Sequence, residues 1–427
     1  MPSPNTSLDG IVKRIYVDDN KKSVKKNKTN EYSDYPVQQI IYGAPGTGKS
    51  YEINELTKGH SVIRTTFHPD SDYSTFVGAY KPVMADNEVN VVPVVINNGI
   101  SLSPQSSIKE KRISYKFVKQ AFLKAYLSAW KKYTENDDQI EPQFLIIEEI
   151  NRGNCAQIFG DIFQLLDRST NNFSSYPIET DADLQQEIDY AFKNEEAYKL
   201  TNAINVDDEI EDYVSNSGFT LSKDIQEGRV LLLPPNLYIW ATMNTSDQSL
   251  FPIDSAFKRR WDWKYIKISN GFKKNQDGEF IFDQEGKRIE LGWTITGADY
   301  KCDWWKFIEE INKKISSATS SDDKKLGYFF CKPLKNTVII NEESFVGKVI
   351  FYLWNDVFKD NDNSIFNVDS EQKEQSFDAF YIEDEDTGRT KPNTSAIKKF
   401  LINVVGEKNV IMSQSSRVED NPALPEQ

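Results

Sequence analysis

Residues 43–50 read GAPGTGKS, a spacing suited to holding a triphosphate. The small residues Gly43, Ala44, Pro45, Gly46, Thr47 and Gly48 let successive backbone N–H groups curl around phosphate oxygens, while the helix entered through Ser50 and Tyr51 turns its positive end toward them. Lys49 then reaches the β- and γ-phosphates, and the Ser50 hydroxyl serves Mg²⁺. A nucleoside triphosphate is the expected substrate and Mg²⁺ the expected cofactor. The loop touches phosphates and not the base, so GTP and ATP both stay open.

Two further segments could complete the chemistry. FLIIEEINRGN at 144–154 is an apolar strand that delivers two acids at its carboxyl end, where open α/β sheets place their ligands. Glu148 would hold Mg²⁺ through water, and Glu149 would polarise the attacking water, because phosphoryl transfer needs positioned charge more than covalent chemistry. LYIWATMNTSDQS at 237–249 is another apolar strand with a polar end, from which Asn244 could hydrogen-bond the γ-phosphate or the lytic water. Past it, DSAFKRRWDW brings Arg259 and Arg260. Adjacent arginines point to different faces of a helix, so at most one meets a given phosphate. Offered across a subunit boundary, it would stabilise the charge of the transition state.

These residues must be held by a sheet. Nearly continuous apolar runs at 39–43, 61–67, 144–150 and 237–244 predict parallel strands buried on both faces, with helices at 50–58, 115–133 and 155–168 covering them. The fold expected is an α/β nucleotide-binding core over 37–265. Two stretches interrupt it: 82–114, where VNVVPVVINNG predicts an inserted hairpin, and 170–228, acidic and helix-prone, expected as a surface insertion. Beyond it, 266–412 predicts a hairpin around DQEGK and then helices at 303–318, 343–360 and 394–405, a mainly α-helical second domain. Residues 1–36 are expected to form a polar arm, with KKSVKKNK at 21–28, and 413–427 a disordered tail.

Composition narrows the partners and the compartment. A net charge of −14 over 427 residues argues against a surface given over to nucleic acid, so any DNA contact must be local or made through a partner. Cys155, Cys302 and Cys331 are far apart, and His60 and His68 are the only histidines, which argues against disulfide scaffolds and structural zinc. With no run of 18 apolar residues and no apolar core in MPSPNTSLDG, no membrane partner is expected and a cytoplasmic location is. Glu285-Gly286-Lys287, with Asp277 or Asp283, imitates a nuclease pattern but predicts a solvated hairpin tip. Trp304, Trp305 and Phe307 share helical spacing with Ile308 and Ile311 and belong to a core. His68 is expected as a structural histidine and Cys155 as a small buried residue.

The motifs in order resemble the McrB-type AAA+ motors of modification-dependent restriction systems. The likeness rests on the phosphate-binding loop, TTFHPDSDYSTFVGAYKP at 65–82, IIEEINRGNCAQIFGDIFQLLDR at 146–168, PPNLYIWATMNTSDQSLFPIDSAFKRRW at 234–261 and LGYFFCKP at 326–333. It implies an AAA+ core with an α-helical lid, a homo-oligomeric ring with a hexamer favoured, GTP as the favoured nucleotide, a McrC-like nuclease partner, and DNA reached through the complex. It further implies that Arg152 and Asn154 help arrange the catalytic acid, that Asn244 and Asp247 occupy the sensing segment, and that an arginine of the 259–260 pair is the trans-acting finger. The chain departs from the pattern in three ways. Glu148-Glu149 stands where Asp-Glu is usual, Gln248 replaces a common arginine, and only about 36 polar residues precede the motor. Two other functions fit the same motifs: a nucleotide-driven assembly switch, and a protein-remodelling ATPase without a DNA target.

Overall fold

The structure, a computed structural model, describes residues 29–30, 35–91, 106–135, 139–245, 251–275, 278–319, 322–359, 364–368, 376–384 and 388–412. In chain order its first unit carries β1 (Gln38–Gly43), α1 (Lys49–Leu56), β2 (Ser61–Thr66), β3 (Gly78–Val91), β4 (Ser106–Lys119), α2 (Ala121–Glu135), β5 (Gln143–Glu148), α3 (Cys155–Phe159), α4 (Ala182–Asn194), β6 (Leu237–Asn244), α5 (Ser255–Lys258) and β7 (Asp262–Tyr265). Five strands form one sheet in the order β7-β1-β6-β5-β2, and every neighbouring pair is parallel. The expectation of an α/β core with a parallel sheet is met.

Alternation along these strands divides the core in two. Ile40, Leu145, Ile147, Ile239 and Ala241 face α2, whose Phe122, Leu123, Tyr126 and Trp130 are buried against them. Ile41, Phe144, Ile146, Tyr238 and Trp240 face the other way, onto Ile53 of α1. Burying the strands on both faces explains their continuous apolar runs. The same register places the strand ends together: Asn244 lies opposite Gly43, and Glu148 opposite Thr66.

The inserted hairpin is longer than the sequence indicates, with β3 and β4 paired from Gly78 opposite Lys119 to Val91 opposite Ser106. Residues 115–119, read as the start of a helix, end β4. Ile113, Tyr115 and Phe117 lie on one of its faces and Ser114 and Lys116 on the other, a period of two that the helix reading passed over. Most of VNVVPVVINNG falls outside the described residues.

The 170–228 stretch is also more than a surface insertion. Leu184, Ile188, Ala191 and Phe192 of α4 join Val206, Leu221, Ile225 and Leu231 in the main apolar cluster. Arg168 and Gln38 tie this region to the sheet. The buried guanidinium donates to Oε1 of Gln38 at 2.7 Å, to the carbonyls of Asn172, Leu233 and Pro234, and to that of Leu237 at 3.0 Å. Burial lowers its pKa to about 9, so it stays a cation at neutral pH.

The second unit contains β8 (Thr294–Thr296), β9 (Tyr300–Asp303), α6 (Trp304–Thr319), β10 (Ile339–Asn341), a helical run from Glu342 to Val357, α7 (Thr394–Val405) and β11 (Val410–Met412). The expected helices are present, the middle one with two stretches of π-helical hydrogen bonding, Phe345–Ile350 and Leu353–Val357. Beside them is a four-stranded sheet of order β10-β8-β9-β11 that the sequence reading lacks. Trp304 and Phe307 are buried with Ile308 and Ile311 in this unit's own core. Among the described residues no helix is long and apolar enough to cross a membrane.

Candidate functional site

The loop between β1 and α1 is shaped by its glycines. Gly46 and Gly48 have φ of +77° and +91°, a region costly to residues with a side chain, and Thr47 Oγ1 donates back to the Ala44 carbonyl at 2.9 Å. Lys49 is buried beneath the loop, its ammonium donating to the carbonyls of Gly43 and Ala44 at 3.0 Å each. Ser50 opens onto β5, and its hydroxyl donates to Oε2 of Glu148 at 3.0 Å. Tyr51 lies half-exposed on the outer side of α1, with the Lys274 ammonium 5.5 Å from its ring centre.

The two acids at the end of β5 are held quite differently. Oε2 of Glu148 also accepts from Thr242 Oγ1 on β6 at 2.5 Å, while Oε1 is paired with Arg64 from β2. Glu149 has φ +55° and ψ +49°, a left-handed conformation that costs a residue of its type about 1–3 kcal/mol and turns its carboxylate away from that of Glu148. Its N–H donates to Thr242 Oγ1 at 3.1 Å, so a single threonine hydroxyl joins the two acids. Oε1 of Glu149 accepts from Nδ2 of Asn244 at 2.6 Å, and Oε2 lies 3.7 Å from Nε of Arg152. Asn151 braces the turn from behind, donating to the Asn244 carbonyl at 3.1 Å.

Lys49, Ser50, Glu148, Glu149, Asn244 and Arg152 are therefore brought together. Ser50 Oγ and Glu148 Oε2 present two hard oxygen donors side by side at the mouth of the loop, a donor set that fits Mg²⁺. Asn154 is placed otherwise: its Oδ1 caps α3 by accepting from the Gln157 N–H at 3.4 Å. Asp247 and Gln248 lie outside the described residues.

The arginine pair resolves into unequal partners. Arg260 is tucked in, with its side chain 8% exposed, one Nη donating to Asp167 at 2.6 Å, the other to the Ala256 carbonyl at 2.9 Å, and its guanidinium 3.9 Å from the centre of the Phe163 ring. Arg259 is exposed just past α5. Cys155 is buried, as expected, and burial pushes its thiol up to about 12. Glu285 and Lys287 stand 77% exposed on the hairpin tip. A cavity of about 910 Å³ lies at the 170–228 region, away from the phosphate loop, lined by Tyr176, Glu209, Tyr213, Asp224 and Arg229 among others.

The second unit lies directly on the loop. The N–H groups of Gly327 and Phe329 donate to the carbonyls of Pro45 and Gly46, each at 2.8 Å. This segment is anchored by α6: Asn312 exchanges two 2.8 Å bonds with the backbone of Leu326, and Nε1 of Trp304 donates to the Tyr328 carbonyl at 2.7 Å. A Cβ on Gly327 would meet the Gly46 carbonyl carbon at 2.4 Å, and one on Gly46 would meet the Phe330 nitrogen at 2.4 Å. Gly327→Ala is accordingly expected to part the two units, destabilising the protein by about 1–3 kcal/mol. Its melting temperature should fall and nucleotide binding should weaken with it. An unchanged melting curve would count against the contact.

Arg64, Thr242, Asn151 and the 327–329 backbone were absent from the site read in the sequence. Asn151 had a local signal, lying inside the EINRGN segment. Arg64 and Thr242 had only their places near strand ends, and the strand order is what gives those places meaning.

Comparison with known proteins agrees with this geometry. The model of the family described as AAA domain (dynein-related subfamily) matches residues 38–261. The type II restriction enzyme BsuMI component YdiS of Bacillus subtilis is 33% identical over 332 residues, which cover 76% of this chain and 80% of that protein. The type IV methyl-directed restriction enzyme EcoKMcrB subunit of Escherichia coli is 23% identical over 344 residues, 78% of this chain and 52% of that protein. The chain thus spans about half the length of the latter.

Proposed function

The chain belongs to the AAA domain family, in its dynein-related subfamily, as an McrB-type AAA+ motor of a restriction system, and on that premise we propose that it is a ring-forming, Mg²⁺-dependent nucleoside triphosphatase. It favours GTP and drives a McrC-like nuclease partner on DNA. The observation that carries this reading is the pair of differently held acids, Glu148 beside Ser50 and Glu149 beside Asn244. One is set to hold a cation and the other to receive a proton.

In the proposed reaction Lys49 exchanges its two carbonyl partners for phosphate oxygens. Glu149 takes the proton of a water that Asn244 orients, as the water oxygen bonds to the γ-phosphorus and the bond to the bridging oxygen breaks. Mg²⁺, held through Ser50 and Glu148, would supply charge neutralisation on the β- and γ-oxygens. Arg259, exposed just past α5, supplies the remaining positive charge to a neighbour's site. The two relatives are named as parts of restriction enzymes, and that supports placing the motor in a DNA-cutting complex.

Phosphate release from GTP and from ATP, measured with Mg²⁺ alongside sedimentation of the same samples, tests the proposal. Faster release from GTP and a nucleotide-driven rise in mass to a ring are expected. Release from neither nucleotide overturns the enzyme, preference for ATP overturns the base choice, and full activity in a monomer overturns the ring.

A further inference from the structure

Arg64 lies outside the phosphate loop and the acidic turn, yet it touches the elements that carry both. On β2 it sits opposite Ile146 of β5, two residues before Glu148, so Arg64 and Glu148 are diagonal neighbours on one face of adjacent strands. Its guanidinium is engaged at both ends. One Nη is paired with Oε1 of Glu148, and the other donates to Oδ1 of Asn54 at 2.5 Å. Asn54 belongs to α1, four residues beyond Ser50 and so on the same side of that helix. Arg64 therefore braces the helix bearing Ser50 against the strand bearing Glu148.

The length of Glu148 is what makes this brace reachable. Its Oε2 is already taken by Ser50 and Thr242, and Oε1 extends beyond them to the guanidinium. An aspartate anchored to the same two hydroxyls would stop short of Arg64 by about one carbon–carbon bond, ~1.5 Å.

We propose that Arg64 is a positioning residue: it fixes Glu148 through the carboxylate oxygen that faces away from Ser50, and thereby sets the affinity of the site for the divalent cation bound with the nucleotide. The proposal rests on the reading of Ser50 and Glu148 as the cation's seat. Two consequences of the guanidinium oppose one another. Its charge alone would repel a cation, while its hold on the carboxylate keeps Oε2 aimed at the Ser50 hydroxyl. The brace from Asn54 makes the orienting effect dominate, since partners of this kind change metal affinity by about 10–100-fold.

The test uses Mn²⁺ as a spectroscopic probe, with free and bound ion distinguished by electron paramagnetic resonance in the presence of a non-hydrolysable GTP analogue. Arg64→Gln is expected to weaken Mn²⁺ binding at least tenfold with little change in metal-free nucleotide affinity. Asn54→Ala, which cuts the brace at its other end, should shift binding the same way by less. Glu148→Asp should also weaken the ion, and adding Arg64→Gln to it should weaken binding no further, because the shorter carboxylate no longer meets the guanidinium. Mn²⁺ bound equally or more tightly by Arg64→Gln overturns the proposal, as does full additivity with Glu148→Asp. Should the unaltered protein bind nucleotide but no Mn²⁺, the cation seat fails and the proposal with it. A folded Asn54→Ala variant keeps the question decidable if Arg64→Gln does not fold.

Discussion

Glu149→Gln is expected to reduce triphosphate turnover by about 10²–10⁴-fold, the usual contribution of a positioned general base. The substitution keeps the side chain's length and an oxygen able to accept from Nδ2 of Asn244, which lies 2.6 Å from the native carboxylate. The backbone bond to Thr242 is independent of the side chain, so the left-handed turn should survive. What is lost is the ability to take a proton. Nucleotide binding, read from a fluorescent analogue, should persist in the variant while phosphate release collapses. Turnover within a few-fold of the unaltered protein would remove Glu149 from its role.

Arg259→Ala is expected to lower turnover by about 10³–10⁵-fold, the range known for arginine fingers, while leaving melting temperature and nucleotide affinity unchanged. The exposure of Arg259 predicts the absence of a folding cost, and Arg260→Ala should behave in the opposite way. Its guanidinium is nearly buried between Asp167 and Phe163, and removing it should destabilise the fold by about 1–3 kcal/mol, with Asp167 partly open to solvent. A mixing experiment separates the shared-site idea from a local one. Subunits with Arg259→Ala keep Glu149, and subunits with Glu149→Gln keep Arg259, so mixed assemblies should recover part of the activity that neither variant has alone. No recovery on mixing, with assembly intact, would place the arginine's action within its own subunit.

Legibility followed the distance over which each feature is encoded. The phosphate loop is a local pattern of small residues, and Glu148, Glu149 and Asn244 close apolar strands, so each could be read within a dozen residues. Thr242 looked like one more strand residue, because joining the two acids requires β6 to lie beside β5. Arg64 similarly needed β2 as the other neighbour of β5. The three-residue strands β8, β10 and β11 are too short for alternation to register. The 170–228 stretch is acidic on average, which hid Ile188, Val206 and Ile225 until their burial was visible. Arg260 and Arg259 were equivalent in sequence and separated only when Asp167 and Phe163 came into contact with one of them.

The back-to-back glycines bear on how such a chain can be recombined. Gly46 belongs to the loop that holds phosphate and Gly327 to the unit that follows, nearly three hundred residues later, and neither leaves space for a methyl group on the other. A chain cut after residue 265 would retain all five strands of the parallel sheet but strip the Pro45 and Gly46 carbonyls of their donors. A foreign C-terminal half would restore them only if it presented glycine at the same place. Leu326 and Tyr328 of the segment around Gly327 share an apolar cluster with Phe345, Ile397 and Phe400, so the core and the unit that follows should exchange only as one piece.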